Sequence, residues 1–274
     1  GAGAINVILG SVNAYLDGSV LTNVAGAVKV TSKAISNIEA KVVAVSGSVS
    51  FGGTTGVAVS IGASVAENRI GWTAADTEIP YEVLAYVNNS SITTGALVIN
   101  ALTNMTIYTG VGSGSVAIAQ ATTGVAVSVG LAKAQNLIST YVLSYISGAA
   151  GNVITVGGMD MDAADTSTIT ANVVGVSVAA SFGSTSIAIS VGLSLARNFI
   201  HNNVAAYIEN SAAINVPAGN ISLKAVTNAT ITSVAVAASA SAAIAGATGI
   251  SFSGAGAFAD NVIYSSTLAY ITNS

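Results

Sequence analysis

Two short signatures return along this chain at nearly constant spacing, and a recurrence of that kind constrains the fold before anything else does. The first is a small residue, a tyrosine and an aliphatic residue: Ala14-Tyr15-Leu16, Ala85-Tyr86-Val87, Ser144-Tyr145-Ile146, Ala206-Tyr207-Ile208 and Ala269-Tyr270-Ile271. The second is Asn-x-Ile, beginning at Asn6, Asn68, Asn136, Asn198 and Asn261. Each asparagine lies nine residues before its tyrosine, except Asn68, which lies eighteen before Tyr86. The extra residues, around 71–80, hold the single tryptophan, Trp72, and read as a loop bulging from an otherwise uniform array. A third signature precedes the internal asparagines: Gly56-Val57-Ala58-Val59-Ser60, Gly124-Val125-Ala126-Val127-Ser128, Ser186-Ile187-Ala188-Ile189-Ser190 and the looser Gly249-Ile250-Ser251-Phe252-Ser253. The chain reads as one array, residues 1–274, of about four units of roughly 62 residues (13–83, 84–143, 144–205 and 206–268) with partial repeats at both ends.

Inside each repeat the apolar period is two. Residues 27–35 and 220–232 alternate apolar and polar side chains, which is strand patterning. Glycine-rich breaks separate the strands at 51–56, 148–152, 157–158 and 217–220. The expected fold is all-β, with three long strand segments per repeat. A β repeat of fixed length stacks its copies about 4.8 Å apart and hydrogen-bonds each to the next. This is a β-solenoid, a parallel β-helix-like architecture, with one wide, flattened coil per repeat. Three rungs of about 20 residues each is the alternative division of the same repeat. The abundant Ala, Gly and Ser predict opposed sheets closer than the usual ~10 Å.

Composition excludes several functions. Charged residues make up 7% of the chain and the net charge is -4, so a nucleic-acid partner is not expected. There is no cysteine and one histidine, which removes disulfides, thiolate metal sites and His-rich metal sites. Catalysis needs tuned titratable groups, and this chain has too few for an enzyme reading. No cofactor is implied. Mean hydropathy is +0.73, but small polar residues interrupt every apolar run, so a membrane helix is not expected. An outer-membrane β-barrel fits the alternation better, yet lacks the paired aromatic girdles.

The repeated side chains are expected to be structural. Asn6, Asn68, Asn136, Asn198 and Asn261 would stack as an amide ladder, and Tyr15, Tyr86, Tyr145, Tyr207 and Tyr270 as a parallel ring stack. The residue before each internal asparagine (Glu67, Gln135, Arg197, Asp260) varies in charge and should face solvent. Asp160, Asp162 and Asp165 form a weak Ca²⁺ candidate, set against a solvated strand edge. His201 reads as a surface residue at a strand end.

Residues 165–171, the Gly-Val-Ala-Val-Ser runs, Arg197-Asn198-Phe199-Ile200 and Val204-Ala205-Ala206-Tyr207-Ile208-Glu209-Asn210-Ser211 resemble repeats of very large bacterial surface proteins. These are the filamentous-haemagglutinin-like and leukotoxin-type filamentous adhesins, and the resemblance covers essentially the whole chain. It implies an extracellular or cell-surface β-solenoid that builds a stalk or filament. Its expected partner is itself, head to tail and laterally, or flanking repeats of a longer chain, since no polar capping repeat is visible at either end. A carbohydrate- or surface-binding adhesin module is the alternative function.

Overall fold

The computed structural model describes residues 1–148, 151–211 and 213–274. Every described element is a strand, and every named strand pair is parallel. The first rung consists of β1 (Ala2–Ile8) and β2 (Ser11–Asp17). The chain then runs out along β3 (Val20–Phe51) and returns along β4 (Thr55–Ile70) and β5 (Tyr81–Asn88). The next coil is β6 (Ser91–Gln120) out and β7 (Thr123–Ser147) back. A third coil comprises β8 (Val153–Val156), β9 (Met159–Asp165) and β10 (Thr168–Glu209), which turns the tip without leaving the sheet. The last repeats this with β11 (Ala213–Asn215), β12 (Ile221–Thr227) and β13 (Thr230–Thr272).

One repeat is one coil. Asn136 pairs with Asn68 on one side and Asn198 on the other, each its counterpart in the neighbouring repeat. The alternative of three short rungs per repeat is therefore set aside. The expectation of three long segments is corrected too. The Asn and Tyr signatures lie on one return leg, continuous in β7, β10 and β13 and interrupted between β4 and β5, so each coil has two long legs and one short segment, such as Val153–Val156, joining them at the root. The sheet does not close into a barrel, and its parallel strands differ from the antiparallel walls of an outer-membrane barrel.

Glycine and asparagine make the corners. At the root the chain leaves four of the five stack tyrosines through a left-handed residue: Gly18 (φ 57°), Asn89 (φ 47°), Asn210 (φ 51°) and Asn273 (φ 47°). The break expected at 148–152 includes Ala149 and Ala150, which lie outside the described residues. Where the short segment meets the long leg, Gly95, Gly157 and Gly219 stack; a Cβ on Gly157 would lie 2.4 Å from the carbonyl oxygen of Gly95.

The core changes character along the legs. Toward the root the interior is filled by Ile92, Leu97, Ile99, Met105, Ile107, Ile138, Met161 and Ile200, all fully buried. Toward the tip it narrows to alanine and serine, with Ala117, Ala126, Ala179 and Ala188 buried. There the opposed sheets touch through backbone. A Cβ on Gly62 would lie 2.3 Å from the Gly114 oxygen, and one on Gly130 would lie 2.2 Å from the Val176 oxygen. Serine hydroxyls cross the same gap: Ser46 to Ser60 at 2.8 Å, Ser115 to Ser128 at 2.6 Å and Ser177 to Ser190 at 2.6 Å. The expected close approach of the sheets is what the tip shows.

Candidate functional site

Three side-chain assemblies stand out. The first is the asparagine ladder. It lies inside the coil, on the alternate positions of the return leg that face inward. Asn6 donates from Nδ2 to Oδ1 of Asn68 at 2.8 Å, Asn68 to Asn136 at 2.9 Å, Asn136 to Asn198 at 2.7 Å and Asn198 to Asn261 at 2.8 Å. The parallel register places each amide one strand spacing from the next, so each oxygen accepts from the preceding rung. Thr109 of the opposed leg also donates to Asn136 Oδ1 (2.6 Å) and accepts from Asn68 Nδ2 (2.8 Å). Each outgoing leg thus faces the groove between two return legs.

The second is the tyrosine stack on the outer face near the root. Tyr15, Tyr86, Tyr145, Tyr207 and Tyr270 lie with successive centroids 4.8–5.1 Å apart and ring planes within 8° of parallel. Burial, the Tyr86 phenol and the Glu209 carboxylate push Tyr145 up to about 12; burial, Glu209 and the neighbouring phenols raise Tyr207 further.

The third assembly departs from expectation. Residues 71–80 do not bulge away from the array. They leave it between Ile70 and Tyr81, replacing the single register position opposite Ser139, and fold back as a strap over the return legs. Gly71 turns the chain at φ 72°, where a Cβ would lie 2.2 Å from the Ser139 oxygen. Trp72 bridges to Glu78 within the strap, and Trp72 packs edge-on against Phe199, with centroids 5.9 Å apart. Asp76 pairs with Arg69 at 2.8 Å and accepts from Gln135 at 3.3 Å. Glu78 accepts from Ser139 at 2.6 Å and binds His201 Nδ1. The strap therefore ties its own coil to the next two.

Arg69 is buried between Glu67 (3.0 Å) and Asp76. Burial works against its charge, but the hydrogen bonds it donates to Asp76 and Glu67 outweigh it and hold the guanidinium above its ordinary value. Lys133 completes the cluster on Glu67 at 3.3 Å. Two expectations change here. The row before the asparagines does face outward, but the strap covers Gln135 and partly covers Glu67, leaving Arg197 exposed. His201 is in mid-strand beneath Glu78, not at a strand end. Beside the strap, Trp72, Asp76, Gln135, Leu137, Arg197 and Phe199 line an open pocket of about 220 Å³.

The three aspartates do not converge. The period of two sends Asp165 inward and Asp160 and Asp162 outward. Asp165 is fully buried and accepts from Asn202 Nδ2 at 2.6 Å, Thr140 Oγ1 at 2.8 Å and the Ser167 amide at 3.0 Å. Burial raises its pKa above the ordinary aspartate value despite those hydrogen bonds. Among the described residues no group of three acidic or imidazole side chains is arranged to hold a metal ion. Sequence reasoning also missed the left-handed corner. Its signal was present: Gly18, Asn89, Asn210 and Asn273 each stand three residues after a stack tyrosine.

The geometry defines a parallel β-solenoid with a flattened, two-legged coil. No protein-family model, curated protein or solved structure matches the chain.

Proposed function

We propose that this chain is a rod-forming segment of an extracellular bacterial filament or adhesin stalk, lengthened by stacking further coils of the same kind. The observation that carries this reading is the continuity of register. The asparagine ladder and tyrosine stack run from the first described rung to the last without a break. A backbone ladder and a dry seam repeated at every rung resist bending, which is what a stalk requires. On one side β1, β2 and β3 have a partner on a single edge, and on the other so do β11, β12 and β13. Those free edges fit another coil, supplied by the same polypeptide or by a second copy. The likeness to filamentous adhesin repeats supports the extracellular setting.

Detergent-free cryo-EM tests this. Unbranched rods with a layer line near 4.8 Å and lengths exceeding one array are expected. Discrete particles one array long, at any concentration, would overturn end-to-end growth. A second reading, saccharide binding, is favoured only by the strap pocket, where Trp72 and Phe199 lie beside the exposed guanidinium of Arg197. Glycan-array binding that Trp72→Ala abolishes is its test.

A further inference from the structure

Along each leg the apolar residues change sides. Near the root they point inward and the outer face is polar, as Lys29, Lys33, Asn100 and Asp160 show. Near the tip the interior holds serine, alanine and glycine, and the β-branched residues point outward. On the return legs, Val57 (55% exposed), Val59, Ile61, Leu193, Leu195 and Phe252 stand in the open. Segments 43–63, 112–131, 174–195 and 236–258, one per coil, contain no Asp, Glu, Lys or Arg. A chain evolved for a solvated surface places these residues the other way round.

We infer that the apolar outer face of the return legs is an interface, and that its occupant is a second array of this same chain packed sheet to sheet. The area is sufficient. Nine residues of strand at about 3.3 Å each, over four rungs about 4.8 Å apart, give a face of roughly 570 Å². A facing pair hides roughly 1,100 Å², above the ~1,000 Å² that a stable interface requires. The rows of Val and Ile recur at the rung spacing, so rows on a facing copy share that spacing and interdigitate over any number of coils. An irregular partner offers no such match. The charges bordering the face are matched within the array, Lys133 on Glu67 at 3.3 Å and Arg197 beside Asp260 at 3.9 Å, so the border adds no net repulsion between facing copies. Lipid contact selects a girdle of aromatic residues at the boundary, whereas the boundary row Glu67, Gln135, Arg197 and Asp260 holds none and Phe252 lies within the band. Pairing of this kind widens the rod and does not depend on end-to-end growth.

Sedimentation velocity and cryo-EM of the full chain without detergent test the inference, with particle width and length measured separately. Wild type is expected as double-width particles with facing sheets about 10 Å apart. The double variant Val127→Lys/Ile189→Lys places charge only on the outer face. It is expected to run at single width, with pairing weakened at least 100-fold and the β circular-dichroism signal unchanged. Thr168→Lys, on the outer face nearer the root of the opposite leg, is expected to stay paired. Single-width wild type overturns the inference, as does a folded double variant that pairs like wild type. Single-width wild type that floats with phosphatidylcholine vesicles would assign the face to lipid instead. A change in length without a change in width bears on the stalk reading alone.

Discussion

Asn136 shows how one residue type serves several rungs. Its oxygen accepts from Asn68 and Thr109, and its amide donates to Asn198. Asn136→Ala leaves one amide hydrogen of Asn68, the hydroxyl hydrogen of Thr109 and Oδ1 of Asn198 without that partner, while the Asn68–Thr109 bond persists, and is expected to destabilise by about 3 kcal/mol, at 1–3 kcal/mol per unsatisfied group. Asn6→Ala, which removes one bond at the first rung, should cost about 1 kcal/mol. Urea unfolding of both variants measures the difference; equal effects would contradict a ladder that gains from its neighbours. Asp165 gives a pH signature. Its pKa is raised in the folded state, so the folded state holds the proton more tightly. Stability is then complete below the ordinary aspartate value of 3.8 and falls as pH rises through the elevated one. Asp165→Asn lacks this titration. Its stability relative to wild type should rise with pH over that window, and a pH-independent difference would refute the burial account.

At the scale of the element, the tip is governed by backbone clearance. Gly130 faces the Val176 carbonyl across the gap, and a Cβ there would lie 2.2 Å from its oxygen, too close to fit. Gly130→Ala forces the sheets apart and is expected to destabilise by about 2 kcal/mol, in the range of overpacked cores. Gly47, on the outer face, has nothing within 4 Å of a Cβ. Gly47→Ala should therefore stabilise by about 0.5 kcal/mol through the reduced freedom of the unfolded chain. Thermal unfolding of the two alanine variants separates the cases, and a stable Gly130→Ala would mean that the sheets part freely. The strap illustrates the limit of reading elements from sequence. Its extra length was legible from the Asn68-to-Tyr86 spacing, but its direction was not. Trp72, Asp76 and Glu78 meet Phe199, Gln135 and His201 only because parallel stacking brings three coils side by side.

For the whole molecule, the tyrosine stack is a reporter of array integrity. Tyr145 ionises near 12 while folded, against an ordinary value of 10.0. The neutral phenol is the form the stack holds, so the stabilisation is present below pH 10.0 and is lost as pH rises toward 12. Ultraviolet titration should show phenol ionisation delayed past the ordinary range and completed together with alkaline unfolding. Titration of Tyr145 near 10 in a chain that remains folded would show that the rings are solvated rather than stacked.

The amino-acid sequence by itself determined the period, the all-β class and the two ladders. In-register parallel stacking copies the sequence repeat directly into space, so a residue recurring at one spacing must meet itself. The small residues of the tip likewise announced the close sheets. Tertiary structure alone decided the rest. A period of two separates Asp165 from Asp160 and Asp162, but which side is interior depends on how the opposed leg packs. The same holds for the tip, where the apolar residues lie outside. Alternation shows that two faces differ, and only the packing of one leg against the other selects the face that is buried.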